Sequence, residues 1–165
     1  MRSCAFLRGV NVKGIDIKMA DVTSIMASGN IIFSSDQPAE LLERLMEECM
    51  STHFFYDASL FIRSKEEVCL LEKNNPFDMH DDYNVYAFVG LDGIERILMG
   101  EFNNSIPLPG ENAEIVHAIF YWRVPKGNTL DSAVGNVLRK KHLKNKMTSR
   151  NINTFGKILQ NMGES

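Results

Sequence analysis

The sequence predicts an α+β chain of two halves, and three observations carry that reading. Short apolar or β-branched runs alternate with segments whose apolar residues recur every three or four positions. Asn75-Pro76 and the polar stretch from Phe77 to Asp82 punctuate the chain near its middle, giving an N-terminal half over 1–76 and a C-terminal half over 77–165 with a terminal helix. The second half reads β, α, β, β, α and then a short link and a helix, close to a split βαβ, the ferredoxin-like plait. The first half reads β, α, β, α, β, α. The prediction is therefore two ferredoxin-like (split βαβ) halves, the first lacking one strand.

The elements follow in order. Ser3 to Val12 reads as a strand passing into a turn punctuated by Gly9 and Gly14. Met19, Val22, Ile25 and Met26 fall at helical spacing, so Lys18 to Met26 reads as a short helix. Ser28-Gly29-Asn30 signals a turn into the strand Ile31 to Phe33. Asp36 is a candidate cap and Pro38 suits a first turn, opening a helix to about Thr52 with Leu41, Leu42, Leu45, Met46 and Cys49 as its apolar stripe. A strand over Ala58 to Arg63 leads into Ser64 and Glu67, spaced as a capping box for a helix reaching Asn74.

In the second half, Tyr83 to Val89 reads as a strand and Asp92 to Phe102 as a helix. Ala113 to His117 and Ala118 to Arg123 are strand-like, as two strands or one long bent strand. Thr129 would cap a helix to about His142, and a last helix begins near Asn151, with Ile152, Phe155, Ile158, Leu159 and Met162 inward.

Composition excludes several classes of function. The chain has 165 residues, 44% hydrophobic and 24% charged, which rules out disorder as its main state. A net charge of −3 provides no overall basic field for DNA or an acidic membrane. Three cysteines, Cys4, Cys49 and Cys69, are too few and too scattered for a disulfide framework or a zinc site. No apolar stretch approaches a signal-peptide core or a membrane span, so a cytoplasmic setting without membrane contact is expected. His53, His80, His117 and His142 show no ligand spacing, and no GxSxG elbow, GxGxxG or Walker pattern is present. No metal, organic cofactor or catalytic residue is therefore assigned. Asp78, His80, Asp81 and Asp82 are read as a solvated connector rather than a cation site.

Charge is uneven along the chain. Lys126 to Gly163 holds eight basic residues and one acid, Asp131. Such a segment is either an anion-binding face or a solvated face paired with acids elsewhere. The candidate ligand-binding residues form three groups. Arg8, Asn11 and Lys18 surround the first turn, where glycines would let backbone N–H groups face a phosphate or carboxylate. Ser28 and Asn30 flank a turn that also explains them structurally. Arg150 and Asn151 open the last helix with Thr148 and Ser149, as an anion pocket or a plain cap.

Four motifs in the same order, CAFLRGVNVKG, IKMADV, SGNIIF and MTSRNINT, resemble the bacterial family known as domain of unknown function 1697. The resemblance spans nearly the whole chain. It implies an α+β fold of two ferredoxin-like halves and brings no established activity. Relatives usually carry a longer helix, a turn and a strand between the second and third motifs, where this chain has only Thr23 to Ala27. That comparison implies an internal deletion between Val22 and Ser28, leaving Ile31 and Phe33 near an open sheet edge. Such an edge would either give a homodimer by strand addition or leave the chain marginally stable and prone to aggregate.

Three functional readings follow. The first is a binding module for an anionic small molecule or nucleic acid, held by the basic segment and the Arg8 turn. The second is a small-molecule enzyme with a site between the halves, using Arg8, Asn30 and Arg150. The third is a truncated protein without the ancestral role.

Overall fold

The computed structural model describes residues 1–8, 20–25, 29–55 and 57–163. They form two four-stranded antiparallel sheets, with five α-helices among the described residues. The chain divides into two compact units, Met1–Leu70 with Thr154–Ser165, and Leu71–Asn153. This differs from the expected 1–76 and 77–165 division. The boundary falls inside a helix, and the terminal helix groups with the first unit.

In the first unit, strands β1 (Arg2–Leu7), β2 (Ala20–Ile25), β3 (Asn30–Ser34) and β4 (Leu60–Ser64) pair in the order β2-β3-β1-β4. Two expectations are corrected here. The sheet is not one strand short, and residues 20–25 form a strand rather than part of a helix. The apparent helical spacing there marks no buried stripe, since Val22 is 53% exposed and only Ile25 of the strand is buried. Val22, Thr23 and Ile25 are β-branched and suit extended backbone.

Ile31 and Phe33 accordingly lie inside the sheet, since β3 has a strand on each side. The open edge is β2, which carries a register shift between Ala20 and Thr23 and a left-handed Asp21 at φ 52°. Such irregularities discourage edge-to-edge pairing.

Alternation along β1 splits the core into two layers. Ala5 and Leu7 pack with Ile31, Phe33, Leu60 and Ile62 under helix α1 (Ala39–Phe54), which contributes Leu42, Met46 and Met50. Those three helix positions are spaced by four, so Leu45 falls outside the stripe and is 39% exposed. Asp36 does not cap α1. The cap position is Pro38, which makes no side-chain bond, and Asp36 lies 3.6 Å from the N-terminal amine. Phe6 points to the opposite layer and meets Phe155 of α5 (Ile152–Met162) at 5.8 Å between ring centroids. This packing explains why the terminal helix counts with the first unit. The capping box opening α2 (Lys65–Lys73) is present: Glu67 N–H donates to Ser64 Oγ at 3.2 Å, and Ser64 N–H donates to Glu67 Oε2 at 2.7 Å.

The second unit pairs β5 (Tyr83–Gly90), β6 (Asn112–Val116), β7 (Ile119–Pro125) and β8 (Met147–Asn151) in the order β6-β7-β5-β8. With α3 (Ile94–Asn103) and α4 (Ala133–Leu138) between strands, this is a complete βαββαβ plait. β6 and β7 form a hairpin, not one bent strand, and the turn is made by His117 and Ala118, both with positive φ (48° and 61°). Helix α4 is shorter than expected and is capped by Ser132, whose Oγ accepts from Gly135 N–H at 2.9 Å, rather than by Thr129.

A buried carboxylate organises this unit. Glu111 Oε1 accepts from Trp122 Nε1 (2.9 Å) and Val134 N–H (3.2 Å), and Oε2 from Leu108 N–H (2.9 Å) and Ala133 N–H (3.1 Å). One side chain thus joins a loop, a strand and the start of α4.

Candidate functional site

The connection from α4 to β8 is the most basic stretch of the described surface. It is tied down along its length. Lys140 N–H donates to Val137 O (3.0 Å), Leu143 N–H to Lys140 O (3.1 Å) and Lys146 N–H to Leu143 O (3.1 Å). A 3₁₀ turn spans Lys141–Leu143, and Leu143 is fully buried, anchoring the turn in the core. The cations around it then point outward, where charged groups remain hydrated.

These cations divide into two kinds. Arg139 is spent internally, Nη2 on Leu130 O at 2.6 Å and Nη1 on Asn136 Oδ1 at 3.3 Å, and Lys140 pairs with Glu101. Lys141, Lys144 and Lys146 are exposed and have no side-chain partner among the described residues. Three ammonium groups within six positions, with no ion pair among the described residues, make an exposed cationic face. Sequence pattern located the basic segment but could not separate the paired cations from the unpaired ones.

Of the other expected site residues, Asn11, Lys18 and Ser28 lie outside the described residues. Arg8 follows β1 in the first unit and is half-buried, with its N–H on Ser59 O at 3.2 Å, and burial lowers its pKa from the ordinary guanidinium value. Asn30 is fully buried, and its Nδ2 donates across the turn to Ile25 O at 3.2 Å. Leu7 N–H donates to Gly29 O at 2.7 Å, so Arg8 and Asn30 come to one end of the first sheet. Gly29 at φ 73° bears out the turn.

Arg150 and Asn151 belong to the second unit. Thr148, Ser149 and Arg150 do not open the last helix but lie within β8, where Val89 pairs with Thr148 and Ala87 with Arg150. Arg150 is buried, its Nη1 held by Thr148 Oγ1 (2.7 Å) and Ser149 O (2.8 Å). The helix start is served by Asn151, whose Oδ1 accepts from Asn153 N–H at 3.1 Å.

Tyr121 and Trp122 are buried, so neither is a base-stacking surface. Tyr121 donates its hydroxyl to Leu71 O at 3.0 Å, and burial pushes that phenol far above its ordinary pKa. The described residues contain no group of three or more His, Cys, Asp or Glu side chains able to hold a metal ion. None of their helices is long and apolar enough to cross a membrane. The sequence reading took Arg123 only as the end of a strand; the structure places this cation within the apolar strand β7. Its signal was a single cation inside a run of aromatic and aliphatic residues.

A family model described as protein of unknown function (DUF1697) matches residues 1–121. The lysine connection and the MTSRNINT segment lie beyond that span. No curated protein matches the chain. Among solved structures, the conserved bacterial protein SP0830 from Streptococcus pneumoniae is similar with a TM-score of 0.77 and 23% identity, over 99% of this chain and 98% of that one. At that identity the likeness concerns the fold.

Proposed function

The chain belongs to the DUF1697 family of proteins of unknown function, and from that premise we propose that it is a binding module for nucleic acid, held through phosphates by Lys141, Lys144 and Lys146. The observation that supports this reading is the set of three unpaired lysines on a connection fixed by its own backbone hydrogen bonds. Lysine acts on a phosphate as a point charge and carries no base readout. Tyr121 and Trp122 are buried and add no stacking, so binding through these lysines is electrostatic and weakly dependent on sequence.

Retention on immobilised RNA and DNA tests this. Three phosphate contacts give a log–log salt slope of about −2.7 on duplex and about −2 on single strands. Raising salt fourfold then weakens duplex binding by about 40-fold. The triple variant Lys141→Ala, Lys144→Ala, Lys146→Ala should flatten that slope. Absence of retention at low salt, or retention that ignores both salt and the triple variant, would overturn the reading.

A further inference from the structure

Arg123 stands in the middle of β7, one of the interior strands of the second sheet. Its guanidinium carbon lies 5.2 Å from the ring centroid of Phe77 and 5.1 Å from that of Tyr83. Two π faces hold the planar cation in place, which reduces the ordering cost of any bond its N–H groups make. Yet those groups meet no acceptor. The Arg123 side chain has no hydrogen bond or ion pair among the described residues, and its Nε is buried without a partner. The residue is only partly buried, so the two Nη amines remain open to solvent. Guanidinium keeps its charge at any physiological pH, so the cation is uncompensated.

Two more donors lie in the same patch. Asn112 is directly opposite Arg123 in the β6–β7 register, which puts both side chains on one face of the sheet. Asn112 Oδ1 accepts from Ala113 N–H at 2.9 Å, leaving the Nδ2 amine as its free end. The Tyr83 hydroxyl makes no hydrogen bond among the described residues. It comes so close to Gly110 that a Cβ there would lie 2.5 Å from the phenol oxygen. Gly110 is thus required at this position both by that approach and by its φ of 82°.

The nearby acids are otherwise placed. Glu111 is occupied by Trp122 and the start of α4. Asp82 sits 3.4 Å from His80 Nδ1. Glu114, one step along the same face opposite Tyr121, is exposed and forms no ion pair with Arg123.

We propose that Arg123, with Asn112 and Tyr83, forms a binding site for a small oxyanion, a carboxylate or phosphate group received by the Nη amines. An arginine fork matches the two oxygens of either group. The site shares no residue with the lysine connection, so the two proposals stand or fall separately.

The test follows the arginine Nε–Hε signals of the full chain by NMR during titration with inorganic phosphate and, separately, acetate, ionic strength being held with chloride. The Arg123 signal is identified by its loss in Arg123→Lys. It should move saturably with at least one of the two anions, the more responsive one naming the ligand class. Exposed Asn112→Ala, which leaves the core intact, should weaken that midpoint about two- to tenfold, the loss of one hydrogen bond. The triple lysine variant should leave it unchanged. An Arg123 signal that moves no more than that of the exposed Arg96, a midpoint indifferent to Asn112→Ala, or a response abolished by the lysine variant would each overturn the proposal.

Discussion

The two sheets share one strand order but satisfy their backbone donors by different means. In the first unit, Glu43 and Glu47 stand one turn apart on α1 and reach over the edge strand β4. Glu43 Oε1 accepts from Ile62 N–H at 2.7 Å and Glu47 Oε1 from Leu60 N–H at 3.1 Å. Helix carboxylates thus cover amides that an edge would otherwise offer to another chain. In the second unit a single carboxylate, Glu111, gathers four donors from three segments in the interior. The first arrangement shields a boundary and the second locks a centre. Glu111 is balanced by N–H donors with no ion pair among the described residues, whereas Glu43 also has Arg63 Nη1 at 4.0 Å.

The largest expected effect breaks the locked centre. Glu111→Ala leaves the Trp122 indole and three amides without an acceptor, and should cost about 3 kcal/mol or more. Glu111→Gln keeps the shape but replaces one carboxylate oxygen with a donor, and should cost roughly half as much. Trp122 is the chain's one tryptophan, so its fluorescence in denaturant reports this unit directly. Equal stability of Glu111→Ala and the parent would deny Glu111 its central role.

At the shielded edge, Glu43→Ala should cost about 1–2 kcal/mol by leaving Ile62 N–H bare. Desolvation raises the Glu43 pKa above the ordinary carboxylate value, outweighing the Ile62 amide bond and the Arg63 charge, which lower it. A folded pKa above the unfolded one means that the native state binds the extra proton, so this group's contribution to stability falls as pH rises through that window. Glu43→Gln should remove that dependence while retaining an acceptor for Ile62. Urea midpoints measured from pH 4 to pH 7 would show the parent losing this increment and the Gln variant keeping it.

The smallest effect sharpens the contrast at a turn. The β6–β7 hairpin places His117 and Ala118 in the left-handed region, where a side chain costs about 1–2 kcal/mol. Ala118→Gly should therefore raise stability by about 1 kcal/mol, because relief of strain exceeds the added freedom of the unfolded chain. A lowered thermal midpoint would contradict this.

That hairpin also explains what sequence reading missed. Two-residue turns of this kind usually announce themselves with Asn-Gly or Asp-Gly, and His117-Ala118 carries neither signal. β8 was hidden for another reason. MTSRN is polar and short, and it is a strand because β5 offers it a ladder from Tyr86 to Gly90. The candidate site was legible to the same degree. The excess of lysine and arginine was visible in the sequence, but the pairing of Lys140 with Glu101 and the withdrawal of Arg139 to Leu130 O depend on residues distant in the chain.

By itself the sequence determined the helices with a buried stripe, α1, α3 and α5, and the capping box at Ser64 and Glu67, because these depend on neighbours three or four residues away. It determined the interior strands β1, β3 and β5 through their apolar runs. Only the tertiary structure decided that residues 20–25 are a strand, that Arg150 is buried in a ladder, that Arg123 lies over two rings without an acceptor, and that Glu111 is an interior hub. Each of those outcomes depends on a partner brought close by the sheet, and local periodicity holds no record of which partner that is.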